Sequence, residues 1–223
     1  MVIATRWSWA LLMVAAAGAA SAAPAFCTVD QWRGSAEWQR GTRAFQPLRP
    51  GLRLQAGDEL RTGAQGRVRL RCSDGSAVSV ANQSRWRIER FEAEPGQGRW
   101  ASFWLKAGLI GQTVSPSPGG RWQVRTPTAV TAVRGTAYLV EVGADQSTDV
   151  QVTEGEVAVA PLGAPAAAAS APDEAYASKA LAAVIPALTL VAAQAPLRCG
   201  PTACTAQPDD PERLKAWRQR LGW

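Results

Sequence analysis

Gly66-Arg67-Val68-Arg69-Leu70-Arg71-Cys72-Ser73-Asp74-Gly75-Ser76-Ala77-Val78-Ser79-Val80 is the stretch that decides the fold class. Apolar and charged residues alternate from Arg67 to Cys72, so Val68, Leu70 and Cys72 share one face and Arg67, Arg69 and Arg71 the other. A period of two is that of a half-buried strand. Asp74-Gly75 separates this run from a second one, Ala77-Val78-Ser79-Val80. An Asp-Gly pair in that place marks a hairpin, because the tight turn needs positive φ. Cys72 falls on the buried face, where a disulfide suits it.

Outward from this hairpin the same texture continues. Gly57 and Gly63 bracket a short strand that begins with a turn residue, Asp58. Residues 85–89 alternate with Trp86 and Ile88 inward, and apolar runs follow over 100–105 and 109–114, with a break at Lys106-Ala107-Gly108. Further strands are predicted over 121–125, 138–142, 148–153 and 157–159, the last two joined by a turn at Glu154-Gly155-Glu156. On the other side, Val29, Trp32, Ala36 and Trp38 are candidates for a first strand. Between 121–125 and 138–142 lies Thr126-Pro127-Thr128-Ala129-Val130-Thr131-Ala132-Val133-Arg134-Gly135-Thr136. Its Thr-Pro step enforces an extended entry to a turn, and Gly135 offers positive φ before the next strand. Strands about every ten residues, punctuated by 20 glycines and 15 prolines, predict an all-β fold of mainly antiparallel short strands in a sandwich, roll or short solenoid.

The ends read differently. Residues 1–25 carry Arg6, an apolar run and small residues suited to cleavage after Ala22 or Ala25, which is the pattern of a secretory signal peptide. Residues 26–160 form the all-β domain, and 161–179, rich in alanine and proline, read as a linker or excursion. Residues 180–223 hold a last strand at 188–191, a cysteine loop and a short basic helix from Pro211, capped by Asp209 or Asp210. The uncharged run 180–195 is short for a membrane span and contains Pro186, so membrane anchoring is not expected. Export to the periplasm or beyond follows, and Cys27, Cys72, Cys199 and Cys204 fit an oxidising space. Cys199-Gly200-Pro201-Thr202-Ala203-Cys204 closes a small loop; pairing Cys199 with Cys204 leaves Cys27 for Cys72.

The chemistry is spare. The chain has no histidine, which removes the commonest general base and metal ligand, and no metal site or cofactor is expected. Acidic residues such as Asp58, Asp74 and Glu154 stand singly in turns, so the chain reads as non-enzymatic. The enzyme class kept in view is a glycan-cleaving one, built on two carboxylates brought together in space. The net charge of +6 and the row Arg67, Arg69, Arg71, joined by Arg85, Arg87, Arg121 and Arg125, suggest a basic sheet face for an anionic glycan or an acidic protein. Nucleic acid is excluded by compartment. Trp100 and Trp104 are candidates for a binding groove, and Trp86 and Trp122 for the core.

Four pieces in order, 48–63 (LRPGLRLQAGDELRTG), 66–80, 126–140 (TPTAVTAVRGTAYLV) and 148–159 (TDVQVTEGEVAV), resemble the FecR family, the periplasmic domain of regulators that sense iron-siderophore transporters. The resemblance implies an all-β, non-catalytic module of the cell envelope that binds or senses a protein partner. In those regulators a cytoplasmic anti-sigma segment and a membrane span precede this region, where a signal peptide is expected here. Arg134, at the centre of the pattern, is a candidate contact residue, while Gly75, Gly135 and Gly155 are structural turn positions. A second reading is an anionic-glycan or cell-wall module that uses the basic face.

Overall fold

The computed structural model describes residues 25–94, 98–162, 189–192 and 196–223. The expected signal peptide and linker lie outside these residues, apart from Ala25 and residues 161–162. The strands are β1 (Cys27–Arg33), β2 (Ala36–Arg40), β3 (Gln46–Pro47), β4 (Arg53–Leu54), β5 (Asp58–Thr62), β6 (Arg67–Cys72), β7 (Ala77–Val80), β8 (Arg85–Glu94) and β9 (Gly98–Thr113). They continue with β10 (Arg121–Arg125), β11 (Ala129–Val133), β12 (Ala137–Val142), β13 (Thr148–Glu154), β14 (Glu156–Pro161), β15 (Thr189–Ala192), β16 (Pro196–Cys199) and β17 (Cys204–Ala206), and helix α1 (Pro211–Leu221) follows.

All these strands belong to one hydrogen-bonded array, organised by β9. The first part of β9 pairs with β8 and, in parallel, with β10. Its last residues pair with β7 and β12. One wing therefore runs β3-β2-β5-β8-β9-β10-β11-β14-β15. The other runs β4-β1-β6-β7-β9-β12-β13-β16-β17. Apart from β9 with β10, every strand pair among the described residues is antiparallel. The bend between the wings is at Gly108, whose φ of +87° is left-handed and whose missing Cβ leaves room for Ser84. Ser84 Oγ accepts the Leu109 N–H at 3.0 Å and so closes the bend.

The inner faces of the wings share one core. From the first wing come Trp86, Phe103 and Trp122, with ring centroids 5.2 Å apart for the first pair and 4.6 Å for the second. From the second come Val68, Leu70, Val78, Ile110, Val140 and Val150, all buried. Each such large side chain contributes about 1.5–3 kcal/mol on burial. Polar contacts fix how the layers meet: Trp122 Nε1 donates to Gln112 Oε1 at 2.7 Å, and the Tyr138 hydroxyl lies 3.5 Å from Thr131 Oγ1. Complete burial raises the Tyr138 phenol well above its ordinary range.

Both disulfides join register partners on neighbouring strands, Cys27 with Cys72 and Cys199 with Cys204. Helix α1 lies on the outer face of the second wing, where Trp217, Leu221 and Leu214 cover Ala81, Leu109 and Leu139. Asp210 caps it by accepting the Arg213 N–H at 3.0 Å, and Gly222 ends it with φ 76°. Arg213 reaches Asp149 at 3.2 Å, and Arg220 pairs with Glu141. Among the described residues, no helix is long and apolar enough to cross a membrane. Of the uncharged run 180–195, Thr189–Ala192 pairs with β14, and the rest lies outside the described residues.

Three expectations are corrected. Val29–Trp38 is not one strand: the chain turns at Gly34, φ +65°, and sends β1 to one wing and β2 to the other. Gly135 does not adopt positive φ; its role is spatial, since a Cβ there would sit 3.0 Å from Pro116 Cγ. The seven arginines do not share a face. Arg67, Arg69 and Arg71 are on β6 in the second wing, whereas Arg85, Arg87, Arg121 and Arg125 are on β8 and β10 in the first.

Candidate recognition surface

The stretch 126–136 is held by buried hydroxyls. Thr126 Oγ1 accepts the Ala129 N–H at 2.9 Å and lies 2.6 Å from Thr148 Oγ1, which in turn lies 2.7 Å from Thr128 Oγ1. Thr128 Oγ1 is within donating distance of the carbonyls of Gln146, 3.1 Å, and Cys199, 3.2 Å. These hydroxyls join the β10–β11 turn to the β12–β13 hairpin and to the disulfide loop. Thr136 Oγ1 adds a bond to the Glu156 carbonyl at 3.0 Å, next to the turn where Gly155 takes φ +82°. The stretch is therefore a structural organiser, and Arg134 sits half-buried in the β11–β12 turn.

The predicted turn acids also do more than shape turns. Asp74 accepts from Ser76 N at 3.0 Å, beside Gly75 at φ +87°, and meets Arg99 at 2.5 Å in a nearly buried ion pair. Desolvation lowers the Arg99 pKa, and the Asp74 carboxylate partly restores it. Buried Asp58 accepts two bonds from Arg40, each 2.8 Å, and one from Gln55 N at 2.9 Å. Glu59 pairs with Arg85, and Asp149 with Arg198 at 2.9 Å as well as with Arg213. The buried carboxylates Asp58, Glu59 and Asp149 thus face arginines rather than one another, so they do not form the acid/base pair that glycoside cleavage requires.

A different arrangement occupies the outer face of the first wing. Along β9, Ala101, Phe103 and Leu105 point into the core, so Trp100, Ser102 and Trp104 point out. Register sets Trp100 between Glu92 and Arg121, Ser102 between Arg90 and Gln123, and Trp104 between Arg87 and Arg125. The Arg90 guanidinium lies 3.6 Å from the Trp100 ring centroid and Arg121 5.1 Å from it; Arg125 is 5.2 Å from that of Trp104. Contacts of this kind contribute about 0.5–1 kcal/mol each at exposed sites. Polar bonds tie the ladder together: Gln123 Nε2 donates to Ser102 Oγ at 3.0 Å, Ser102 Oγ to Glu89 at 3.0 Å, and Arg90 to Glu92 at 2.5 Å. Trp100 remains 38% exposed, one of the few large apolar side chains left at the surface. The two indoles form a row along β9, ordered by the neighbouring guanidinium groups.

Arg67, Arg69 and Arg71 stand on the opposite wing. Arg71 pairs with Asp30 at 3.2 Å, while Arg67 and Arg69 border a depression with Trp32 and Trp223. Arg33 and Trp223, which no local sequence pattern marks, come to this place from the far ends of the described chain. Among the described residues, no group of three or more histidines, cysteines or acids is placed to hold a metal ion.

Comparison with known proteins agrees with this architecture. Residues 58–158 match the family model described as FecR protein. Two crystal structures of a candidate anti-sigma factor from Parabacteroides distasonis ATCC 8503 superpose with TM-scores of 0.51 and 0.52 at 16% identity, a likeness of fold alone. The superposition covers 72% of this chain and 64% of theirs, so the chain spans less than two thirds of their length. No curated protein matches the chain. The matched segment runs from β5 into β14 and contains the hairpin, the threonine-bonded stretch and the indole ladder, and residues 58–158 are a FecR domain.

Proposed function

We propose that this chain is an exported, non-catalytic module of the bacterial cell envelope that binds or senses a protein partner through the outer face of its first wing. The FecR match supports a regulatory module. The observation that carries the site is the exposed Trp100 ring, ordered by Arg90 and Arg121 on a face of alternating charge. Tryptophan and arginine dominate interface hot spots, and a side chain already ordered loses little freedom on binding. The two disulfides support an oxidising compartment, in keeping with a cleaved leader.

The test is chemical cross-linking of the mature chain in envelope extract, comparing wild type with Trp100→Ala and Lys106→Ala. Trp100→Ala should weaken a stoichiometric protein partner by about thirtyfold, as loss of a hot spot does, while the exposed Lys106→Ala leaves it unchanged. Identical capture by both variants would refute the surface assignment. N-terminal sequencing of the periplasmic fraction should find a chain beginning after Ala22 or Ala25, and a chain retained whole in the cytoplasm would overturn export.

A further inference from the structure

The second wing carries a depression of about 440 Å³ between β1, β6 and the end of α1, lined by Trp32, Arg33, Arg67, Arg69, Ser79 and Trp223. We propose that it binds an acidic sugar chain through the sugar carboxylates. Register places Arg33 directly opposite Arg67, and Gln31 opposite Arg69, all on the outer face. Like charges facing each other across a strand pair are unfavourable unless something neutralises them. Among the described residues none of these three arginines meets a carboxylate, although Arg71, two residues along the same strand, has Asp30. The missing negative charge would come from the ligand, and guanidinium forks match carboxylate oxygens in pairs.

The Trp223 indole specifies what else the ligand carries. Trp223 is held by its Nε1 donating to Ser79 Oγ at 2.9 Å, yet is 44% exposed and turns a fixed apolar surface to the depression. Gly222 lets Arg67 lie close, since a Cβ there would come within 2.9 Å of Arg67 Nη1. A flat aromatic surface beside arginines suits a pyranose ring bearing a carboxylate, whose C–H face covers the indole while its charge meets the guanidinium. Inorganic phosphate would satisfy the arginines and leave the Trp223 indole unused. The volume has room for about two pyranose rings. This site is on the wing opposite Trp100 and stands or falls separately from the protein-binding surface.

The experiment titrates the mature chain with trigalacturonate, neutral galactotriose and inorganic phosphate, by calorimetry and tryptophan fluorescence. Trigalacturonate should bind, with affinity falling as salt is added, and should bind more tightly than either comparison ligand. Arg67→Ala/Arg69→Ala should weaken it about tenfold or more, and Trp223→Ala should weaken trigalacturonate but not phosphate. Arg69→Ala alone, at an exposed position without an ion pair, keeps the fold and should show the same direction of loss. Trp100→Ala should leave sugar binding unchanged. The proposal is overturned by absence of trigalacturonate binding, by equal binding of galactotriose or phosphate, or by undiminished binding in Arg69→Ala.

Discussion

Thr126→Val tests whether the centre of the FecR pattern holds the fold together. The substitution keeps the side chain's shape and removes one oxygen. That oxygen accepts the Ala129 N–H at 2.9 Å and the Thr128 N–H at 3.3 Å, and it meets Thr148 Oγ1 at 2.6 Å in a site with no solvent exposure. Loss of a hydroxyl–hydroxyl bond costs about 1 kcal/mol, and stripping a buried N–H of its acceptor adds about 2, for a total of about 3 kcal/mol. For a chain of this size that corresponds to a fall in Tm of roughly 6–12 °C. Thr148→Val should cost about 2 kcal/mol, because Thr126 and Thr128 keep their backbone partners. The double variant should be less destabilised than the sum by about 1 kcal/mol, since the shared bond is lost once. Urea unfolding of the oxidised protein, followed by tryptophan fluorescence, gives these values if the slope with denaturant is unchanged. A Thr126→Val protein within about 0.5 kcal/mol of wild type would refute the reasoning, because surface-like tolerance is incompatible with an organising hydroxyl.

Gly111→Val should displace the end of α1, because even a Cβ at Gly111 would lie 2.7 Å from both Leu221 Cδ1 and the Trp223 ring; limited proteolysis should then cut the C-terminal segment earlier than in wild type. The two disulfides should contribute unequally: separations of 45 and 5 residues predict about 4 kcal/mol from Cys27–Cys72 and about 2 from Cys199–Cys204. Paired serine variants in urea melts would measure the difference, and equal losses would contradict the loop-entropy account.

What could be read in the sequence was what is local. Alternation over Arg67–Cys72 and the Asp74-Gly75 turn specify β6, β7 and the hairpin between them without outside help. The cysteine pairing was also legible, because cysteines with a sequence separation of 5 can close on each other and leave a single remaining pair. The double membership of β9 was not. Lys106-Ala107-Gly108 reads as a break between two strands, and hydrogen bonding continues through it because Ser84, distant in sequence, fills the place of a side chain at Gly108. Alternation likewise says that an arginine points outward but not from which wing, and the seven arginines divide between the two. The indole ladder had a usable signal: Ala101, Phe103 and Leu105 alternate with Trp100, Ser102 and Trp104, and the serine in the second set marks it as the outer one. Nothing local marks Arg33 and Trp223 as neighbours, since helix docking brings them together.

The pairing of β1 with β6 sets a physical boundary that differs from the boundary of sequence likeness. The recognisable segment begins at Asp58, but cutting the gene there would strip β6 of β1, its outer neighbour, leave Cys72 without Cys27, and open a fresh row of unsatisfied amides and carbonyls. Cutting after residue 158 would shorten β14, whose residues up to Pro161 pair with β11, and would discard the helix that shields Leu109 and Leu139. The heritable pattern is thus shorter than the cooperative unit. A laboratory fragment, a domain swap or a fusion partner should keep residues 25–223 together, since the β1–β6 and β11–β14 pairs and the shielding helix all fall within them.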